Sequence, residues 1–510
     1  MWFWAFLVLY SAFSLATFRD YGITCDEIDN YANGQNYLRY YFEPWLGDKL
    51  DLGGHPVQEE ATHNFTYPAF LSLLNIGRSY EGFHLLNLLF GILLFAAVYK
   101  VLFRAYGDGR WACAGCLFVF LCPRLLGEIP FNPKDASFAI LYFLGLAGIY
   151  LIPQKIKGPW FQAFWVGTLI GVTTSLRVLG ATLLPVWVLH RLFLRLHRSG
   201  DKNLKFWPWF LVEGLQGLLI FLWSQFWMLM LWPYLAEHYF QGWVGIYEAS
   251  KDYYWNGPIL YMGQVIHPAD KLWHYLPVWM ILTTPLFLLV PFFYSLFAFF
   301  KKRDKQVFSL YFLMAAALGL NLALYFVLRP SIYNGLRHYL FLLPVLSVMS
   351  AIGFIEFAGK PFPRIVKRTG MALALISGSW TLFQMAQLYP CTYIYFNELA
   401  GGLPGAYGKF ETEYWGASLK EAALWLSAKA AAEPSTRVRV KSCSASEQMT
   451  YYFGKNLEGD NDMKDPDYQV EPANSVILER DRYSTEDIKA KAVHVVQREN
   501  VPLFYVLKMK

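Results

Sequence analysis

Apolar runs long enough to cross a bilayer recur along the first 390 residues, and no other feature restricts the fold of this chain as severely. A helix rises about 1.5 Å per residue, so roughly 17–25 apolar residues cross a ~30 Å hydrocarbon core. Inside that core only helices or closed barrels satisfy every backbone N–H and C=O. Eleven runs fit, near 2–18, 82–103, 111–123, 136–153, 160–176, 178–196, 207–232, 277–300, 308–328, 338–358 and 371–389, the third and fourth being the shortest. Composition agrees, because 55% of the 510 residues are apolar and only 16% charged, against about 25% in soluble proteins. The expected fold class is an α-helical polytopic membrane protein of about eleven transmembrane helices.

Lys and Arg set the orientation, since short basic loops stay cytoplasmic. Arg104 with Arg110, Lys155 with Lys157, the stretch from Arg191 to Lys205, "KKRDK" at 301–305 and "KPFPRIVKR" at 360–368 occupy alternate loops. The N-terminus is then cytoplasmic, and residues 19–81, 124–135, 177, 233–276, 329–337 and all that follows 390 face outward. The first run lacks a basic leader and is read as a retained anchor. The formal charge of +6 belongs to the cytoplasmic loops, which meet anionic headgroups; no basic aromatic face suggests a nucleic-acid partner.

Beyond Tyr389 the composition becomes that of a soluble module, which divides the chain into a membrane part, 1–390, and an extracytoplasmic part, 391–510. "SLKEAALWLSAKAAA" (418–432) and "SEQMTYYF" (446–453) predict helices, whereas "TRVRVKS" (436–442), "SVILE" (475–479) and "PLFYVLK" (502–508) predict strands. That alternation predicts a small α/β domain. The acidic stretch 457–468 lacks the spacing of a calcium loop, and "GGLPGAYG" (401–408) lacks the strand and Lys-Ser/Thr close of a phosphate cradle, so no nucleotide cofactor is expected. Cys113, Cys116 and Cys122 read as buried thiols within one span; Cys25, Cys391 and Cys443 face outward, where one disulfide among them is allowed but unassigned.

Four polar clusters fall on the outward side: "TCDEIDNYANGQNYLRYYF" (24–42), "CPRLLGEIPFNPKDASF" (122–138), "RPSIYNGLRHYLFLLP" (329–344) and "YPCTYIYFNELAGGLPGAYGKFETEYWGAS" (389–418). Outward loops are polar in any case, and charges at helix ends snorkel to water. Charges held against long apolar spans, as in "NPKD" and "GLRHY", are instead candidates for function.

These motifs, in this order on one face, resemble those of type C membrane glycosyltransferases (bacterial family 39-like), in the branch that holds protein O-mannosyltransferases and lipid A aminoarabinose transferases. The resemblance covers the architecture of residues 1–420. It implies transfer of a sugar, hexose or pentose, from a polyprenyl-phosphate donor to a lipid, glycan or protein acceptor at the outer face of a membrane. The bacterial cytoplasmic membrane, with the site toward the periplasm or exterior, is the expected location. Related transferases use the first carboxylate of a pair after the first span as base, which the resemblance carries to Asp26.

The residues suit that chemistry. Displacing a sugar from phosphate leaves negative charge that fixed cations stabilise, and Arg337 and His338 are the first candidates, then Lys134 and Arg124. Tyr333 stands with them as a substrate-binding candidate. An acceptor hydroxyl needs a carboxylate within hydrogen-bond reach, the role of Asp26. Glu27 is read as orienting the acceptor or a loop, or as a helix-start carboxylate. Asp135 is read as pairing with Lys134 or holding a substrate hydroxyl, and Arg177 as touching the donor or anchoring its turn. A divalent metal stays open: Asp26, Glu27, Asp135 and His55 offer suitable ligand atoms without ligand spacing. Direct inverting displacement is expected, because no second carboxylate is placed for a covalent intermediate. The alternative is a transporter or flippase of lipid-linked saccharides, for which paired repeats and a midplane site would be expected.

Overall fold

The computed structural model describes residues 2–46, 64, 66–75, 77–152, 158–197, 206–251, 257–298, 304–432, 437–442, 446–478 and 485–510. Each of the eleven apolar runs is helical over most of its described residues. Among the described residues, five helices are long and apolar enough to cross a membrane: Tyr80–Tyr106, Val178–His197, Trp207–Leu231, Lys305–Leu328 and Leu342–Gly359. A sixth span is added if the bent pair Tyr275–Thr283 and Leu286–Ala298 is taken as one. Eleven full spans are therefore not counted by this criterion. Three of the remaining runs hold shorter apolar helices, α1 (Trp2–Thr17), Gly109–Phe120 and Asp135–Leu151.

Local chemistry explains the boundaries. Ser79 accepts from the backbone N–H of Gly82 at 3.1 Å to start Tyr80–Tyr106, and Gly107, at φ 68°, ends it in the left-handed conformation. The pair Tyr275–Thr283 and Leu286–Ala298 bends by 117° because Pro285 drives Thr284 into extended backbone. That break frees carbonyls that lipid cannot satisfy. Asn397 supplies the missing donors, giving its side-chain amide to the carbonyls of Ile281 at 2.6 Å and Thr284 at 2.7 Å, and its backbone N–H to that of Leu282 at 2.8 Å.

The outer surface of the bundle is apolar, as a lipid-facing wall must be. Trp207, Phe210, Leu211, Leu215 and Leu222 on Phe206–Leu231 are all exposed. The opposite face of that helix packs tightly on Gly158–Leu176, where a Cβ at Gly171 would lie 2.5 Å from the carbonyl oxygen of Ser224. The chain is an integral membrane protein.

Near the C-terminus lies a five-stranded sheet of order β4-β3-β5-β7-β6, built from β3 (Val438–Ser442), β4 (Leu457–Asp460), β5 (Tyr468–Pro472), β6 (Ala492–Arg498) and β7 (Val501–Lys508). Strand β3 runs parallel to β4 and β5, and β7 runs antiparallel to β5 and β6. The predicted helix at 418–432 appears as Leu419–Ala431, and that at 446–453 as the shorter Ser446–Thr450. "SVIL" (475–478) is not a strand, and Glu479 lies outside the described residues: Ala473–Leu478 is a helix that buries Ala473 and Val476, spaced for one helical face, in a cluster with Tyr505 and Leu507. A two-stranded hairpin, β1 (Ile259–Tyr261) with β2 (Gln264–Ile266), was not read from the sequence; its turn holds Met262 at φ 52° and Gly263 at φ 81°. One continuous apolar core includes Phe6, Leu346 and Val506.

Candidate active site

Asp26 is positioned by the residues on either side of it. Thr24 and Glu27 have the Thr-x-x-Glu spacing of a capping box at the start of α2 (Cys25–Leu46), and the glutamate half of it is made: Glu27 Oε2 accepts from the backbone N–H of Thr24 at 2.8 Å and from its hydroxyl at 3.2 Å. The other oxygen of Glu27 meets His84 Nε2 at 2.9 Å, with both side chains fully buried. Burial lifts the Glu27 carboxyl above the usual range against the opposing pull of His84. Glu27 thus points into the protein and holds the turn, whereas Asp26 turns outward with 41% of its side chain exposed. The backbone is fixed from the far end of the chain, since Cys25 N–H donates to Trp415 at 3.0 Å and Gln448 donates to Ile23 at 2.7 Å.

Arg337 reaches Asp26 Oδ2 through Nη1 at 3.0 Å. Its guanidinium lies 4.7 Å from the ring centre of Tyr333 and 4.9 Å from that of Trp415, so two aromatic faces hold the cation. The "NGLRHY" turn that delivers it needs Asn334 at φ 54° and Gly335 at φ 70°, and Gly335 N–H donates to Tyr275 Oη at 3.1 Å. Burial alone would raise the Asp26 pKa, but Arg337, with Lys134 behind it, outweighs burial and holds this carboxyl below the usual range. His338 packs edge-on to Tyr333 at 4.8 Å. Burial, with Arg337, Arg177 and Lys134 around it, pushes its pKa well below the usual value. The imidazole is therefore neutral, and it offers hydrogen bonding rather than the fixed charge expected of it.

The third wall is "FNPKDA". Asn132 Oδ1 accepts from the backbone N–H groups of Lys134 at 3.2 Å and Asp135 at 2.8 Å, starting the helix Asp135–Leu151. Its amide nitrogen bridges Glu128 at 2.7 Å and Asp135 at 3.2 Å. Asp135 forms its ion pair with Arg177, which the short helical turn after Leu176 brings across, rather than with Lys134. Lys134 is left near Asp26, Asp135, Arg177 and Arg337; burial first, then the two arginines, bring its pKa down to about 7.

Arg124 lies below this layer and fully buried, its guanidinium 5.2 Å from the ring centres of both Trp279 and Phe396. It donates to Tyr414 Oη at 3.1 Å, and Tyr414 donates on to Glu128 Oε1 at 3.0 Å. Among the described residues, Nε and Nη2 of Arg124 have no hydrogen-bond partner. Arg124 is thus part of the floor and does not stand beside Asp26. Glu411, also buried, lies within the fields of Arg337 and Arg124, yet burial raises its pKa to about 8. Burial likewise lifts Glu128 to about 7, with Asp135 adding to the effect.

The structure therefore unites all four polar clusters. Asp26, Arg337, Tyr333, Lys134, Asp135, Arg177 and His338 form one basin at the ends of helices, with Glu27 and Arg124 supporting it from inside. Sequence reasoning did not single out Tyr414, Trp415, Glu411, Asn397 or His84. "ETEYWG" carried a signal, as two acids and two large aromatics after the last span, but nothing local tied them to Arg337.

The residues named for a metal do not converge: Asp26 faces Arg337, Glu27 faces His84, Asp135 faces Arg177, and His55 lies outside the described residues. Among the described residues, no group of three His, Cys, Asp or Glu side chains is placed to hold a metal ion. Cys25 and Cys391 are free thiols, and Cys443 lies outside the described residues.

No protein-family model matches the chain, and no curated protein matches it in sequence. Solved structures do. Over 98% of its length the chain superposes on 98% of ArnT from Cupriavidus metallidurans bound to undecaprenyl phosphate, with a TM-score of 0.52 and 13% identity. The fold is that of a type C glycosyltransferase. The same ArnT in its apo state gives a TM-score of 0.48 at 12% identity, again over 98% of both chains. The Archaeoglobus fulgidus oligosaccharyltransferase in its apo form gives 0.44 at 13% identity, over 91% of this chain and 61% of that one. The fold assignment rests on the first of these, and in this fold the basin lies where helix ends meet the C-terminal segment.

Proposed function

We propose that the chain is a membrane glycosyltransferase, moving a sugar from a polyprenyl-phosphate donor to an acceptor hydroxyl or phosphate at the outer face. The observation that carries this reading is the Asp26–Arg337 pair at 3.0 Å, with Lys134 nearby, at helix ends where a lipid keeps its chain in the bilayer and its phosphate at the interface. The ArnT to which the chain is similar was solved with undecaprenyl phosphate, which supports a lipid-phosphate donor.

The reaction is a direct displacement. The acceptor oxygen attacks the anomeric carbon and its proton passes to the Asp26 carboxylate. The bond from the anomeric carbon to the phosphate oxygen breaks, its electron pair stays on the lipid phosphate, and Arg337 and Lys134 stabilise the charge that develops. Configuration inverts. Glu27 acts through α2 as a positioning residue, and Asp135 with Arg177 fixes the "NPKD" wall. Residues 391–510 serve as an outward-facing module that closes the basin. The charged residues of the basin lie at helix ends, which favours an interfacial site over the midplane site of a transporter.

The test is to incubate purified protein with a labelled polyprenyl-phosphate sugar and added acceptors or water. Transfer or hydrolysis is expected with the wild type. Asp26→Asn should lower transfer by at least about 100-fold, the scale of general-base catalysis, while folding is retained. If no sugar is released under any acceptor condition, the reading fails.

A further inference from the structure

The two residues just assigned opposite tasks are bonded to each other, and neither can perform its task while that bond persists. A carboxylate engaged by a guanidinium is a poor proton acceptor, and a guanidinium engaged by a carboxylate is a poor phosphate ligand. We propose that Asp26 and the donor's phosphate compete for Arg337, so that the base is released only once the donor is seated. The proposal rests on the glycosyltransferase reading and adds an order of events to it.

The asymmetry of the pair shows which partner moves. The Arg337 side chain is 8% exposed and clamped between Tyr333 and Trp415, whereas that of Asp26 is 41% exposed and occupies the open side. An arriving phosphate therefore meets the acid first and the cation behind it. Asp26 holds Arg337 through a contact from Nη1 to Oδ2, and Arg337 Nε is buried without a hydrogen-bond partner among the described residues. A phosphate presents several oxygens to the planar donor fork and fits it better than one carboxylate oxygen does. Lys134 and Arg177 add to the field, and Lys134 also lies within electrostatic reach of Asp26. Once the phosphate holds Arg337, Asp26 can turn toward the acceptor without losing every cation near it.

A structural brace and a competing latch predict opposite signs. If Asp26 only braced Arg337, removing its charge would loosen the cation and weaken phosphate binding. If Asp26 competes, removing it strengthens binding. The experiment measures the affinity of full-length, detergent-solubilised protein for a synthetic polyprenyl phosphate without sugar. Asp26→Asn and Asp26→Ala should each bind about tenfold tighter than wild type, equivalent to about 1.4 kcal/mol. Arg337→Ala should bind at least about tenfold more weakly. Using two substitutions at Asp26 guards against a residual amide bond from Asn.

Unchanged or weaker binding by both Asp26 variants, with Arg337→Ala still impaired, overturns the competition and leaves the glycosyltransferase reading standing. If the wild type does not bind polyprenyl phosphate at all, both fall together.

Discussion

At the scale of single residues, Lys134 is where pH should act. Its pKa of about 7 means that it is charged below neutrality and neutral above it. A glycosyl phosphodiester keeps one negative charge from about pH 6 to pH 8, as diesters have no second ionisation there. Donor affinity should therefore fall as pH rises through this window. Glu128, near 7, and Glu411, near 8, lose protons over the same range and add negative charge, pushing in the same direction. Lys134→Arg keeps its charge throughout and should flatten the fall, leaving the shallower part due to the acids; binding titrations at several pH values measure this. An equally steep profile in the variant would remove Lys134 from the phosphate site. Lys134 and Arg337 were legible in the sequence because a charge against a long apolar run is conspicuous. Their partners were not, because the Asp26–Arg337 pair joins residues 311 apart and the Glu128–Tyr414 bond residues 286 apart.

The elements succeed or fail by how they are capped and how closely they approach. "TCDE" carries the Thr-x-x-Glu spacing of a capping box, so the inward direction of Glu27 had a local signal, and the carboxylate pair divides into one that starts the helix and one that faces the basin. The start of α2 also depends on Gly22, where a Cβ would lie 1.9 Å from the carbonyl oxygen of Ala417. Gly22→Ala should force apart α2 and the segment after Trp415, costing about 1–3 kcal/mol, with a lower thermal midpoint in detergent and reduced transfer. An unchanged midpoint would show that this close approach does not hold α2 in place. "FNELAGG" was legible as a motif but not as the plug of the break at Thr284; a bend caused by Pro285 and its satisfaction by Asn397 are far apart in sequence. The strands β4 and β5 were missed because "LEGD" and "YQVEP" lack the continuous apolar run that marked β7, and β6 was missed because "AVHVVQR" breaks such a run with His494 and Gln497.

For the molecule as a whole, the change in composition after Tyr389 does not mark an edge of the core. Apolar packing is continuous between the helical bundle and the C-terminal sheet, and Arg498 bonds to the carbonyl of Tyr389 at 3.1 Å and pairs with Glu421. Calorimetry of the full chain should show one cooperative transition; two well-separated transitions would show that residues 391–510 unfold independently. The way the basin is put together also bears on how the protein is made. The carboxylate proposed as base comes from position 26, the cation proposed to face the phosphate from position 337, and the aromatic wall beside that cation from position 415. A chain emerging from the ribosome enters the bilayer from its N-terminus, so the site stays open through nearly all of synthesis. On the proposed reading, a half-inserted or truncated polypeptide has the acid without its guanidinium partner, and so cannot draw on the shared pool of lipid carrier before that partner is made.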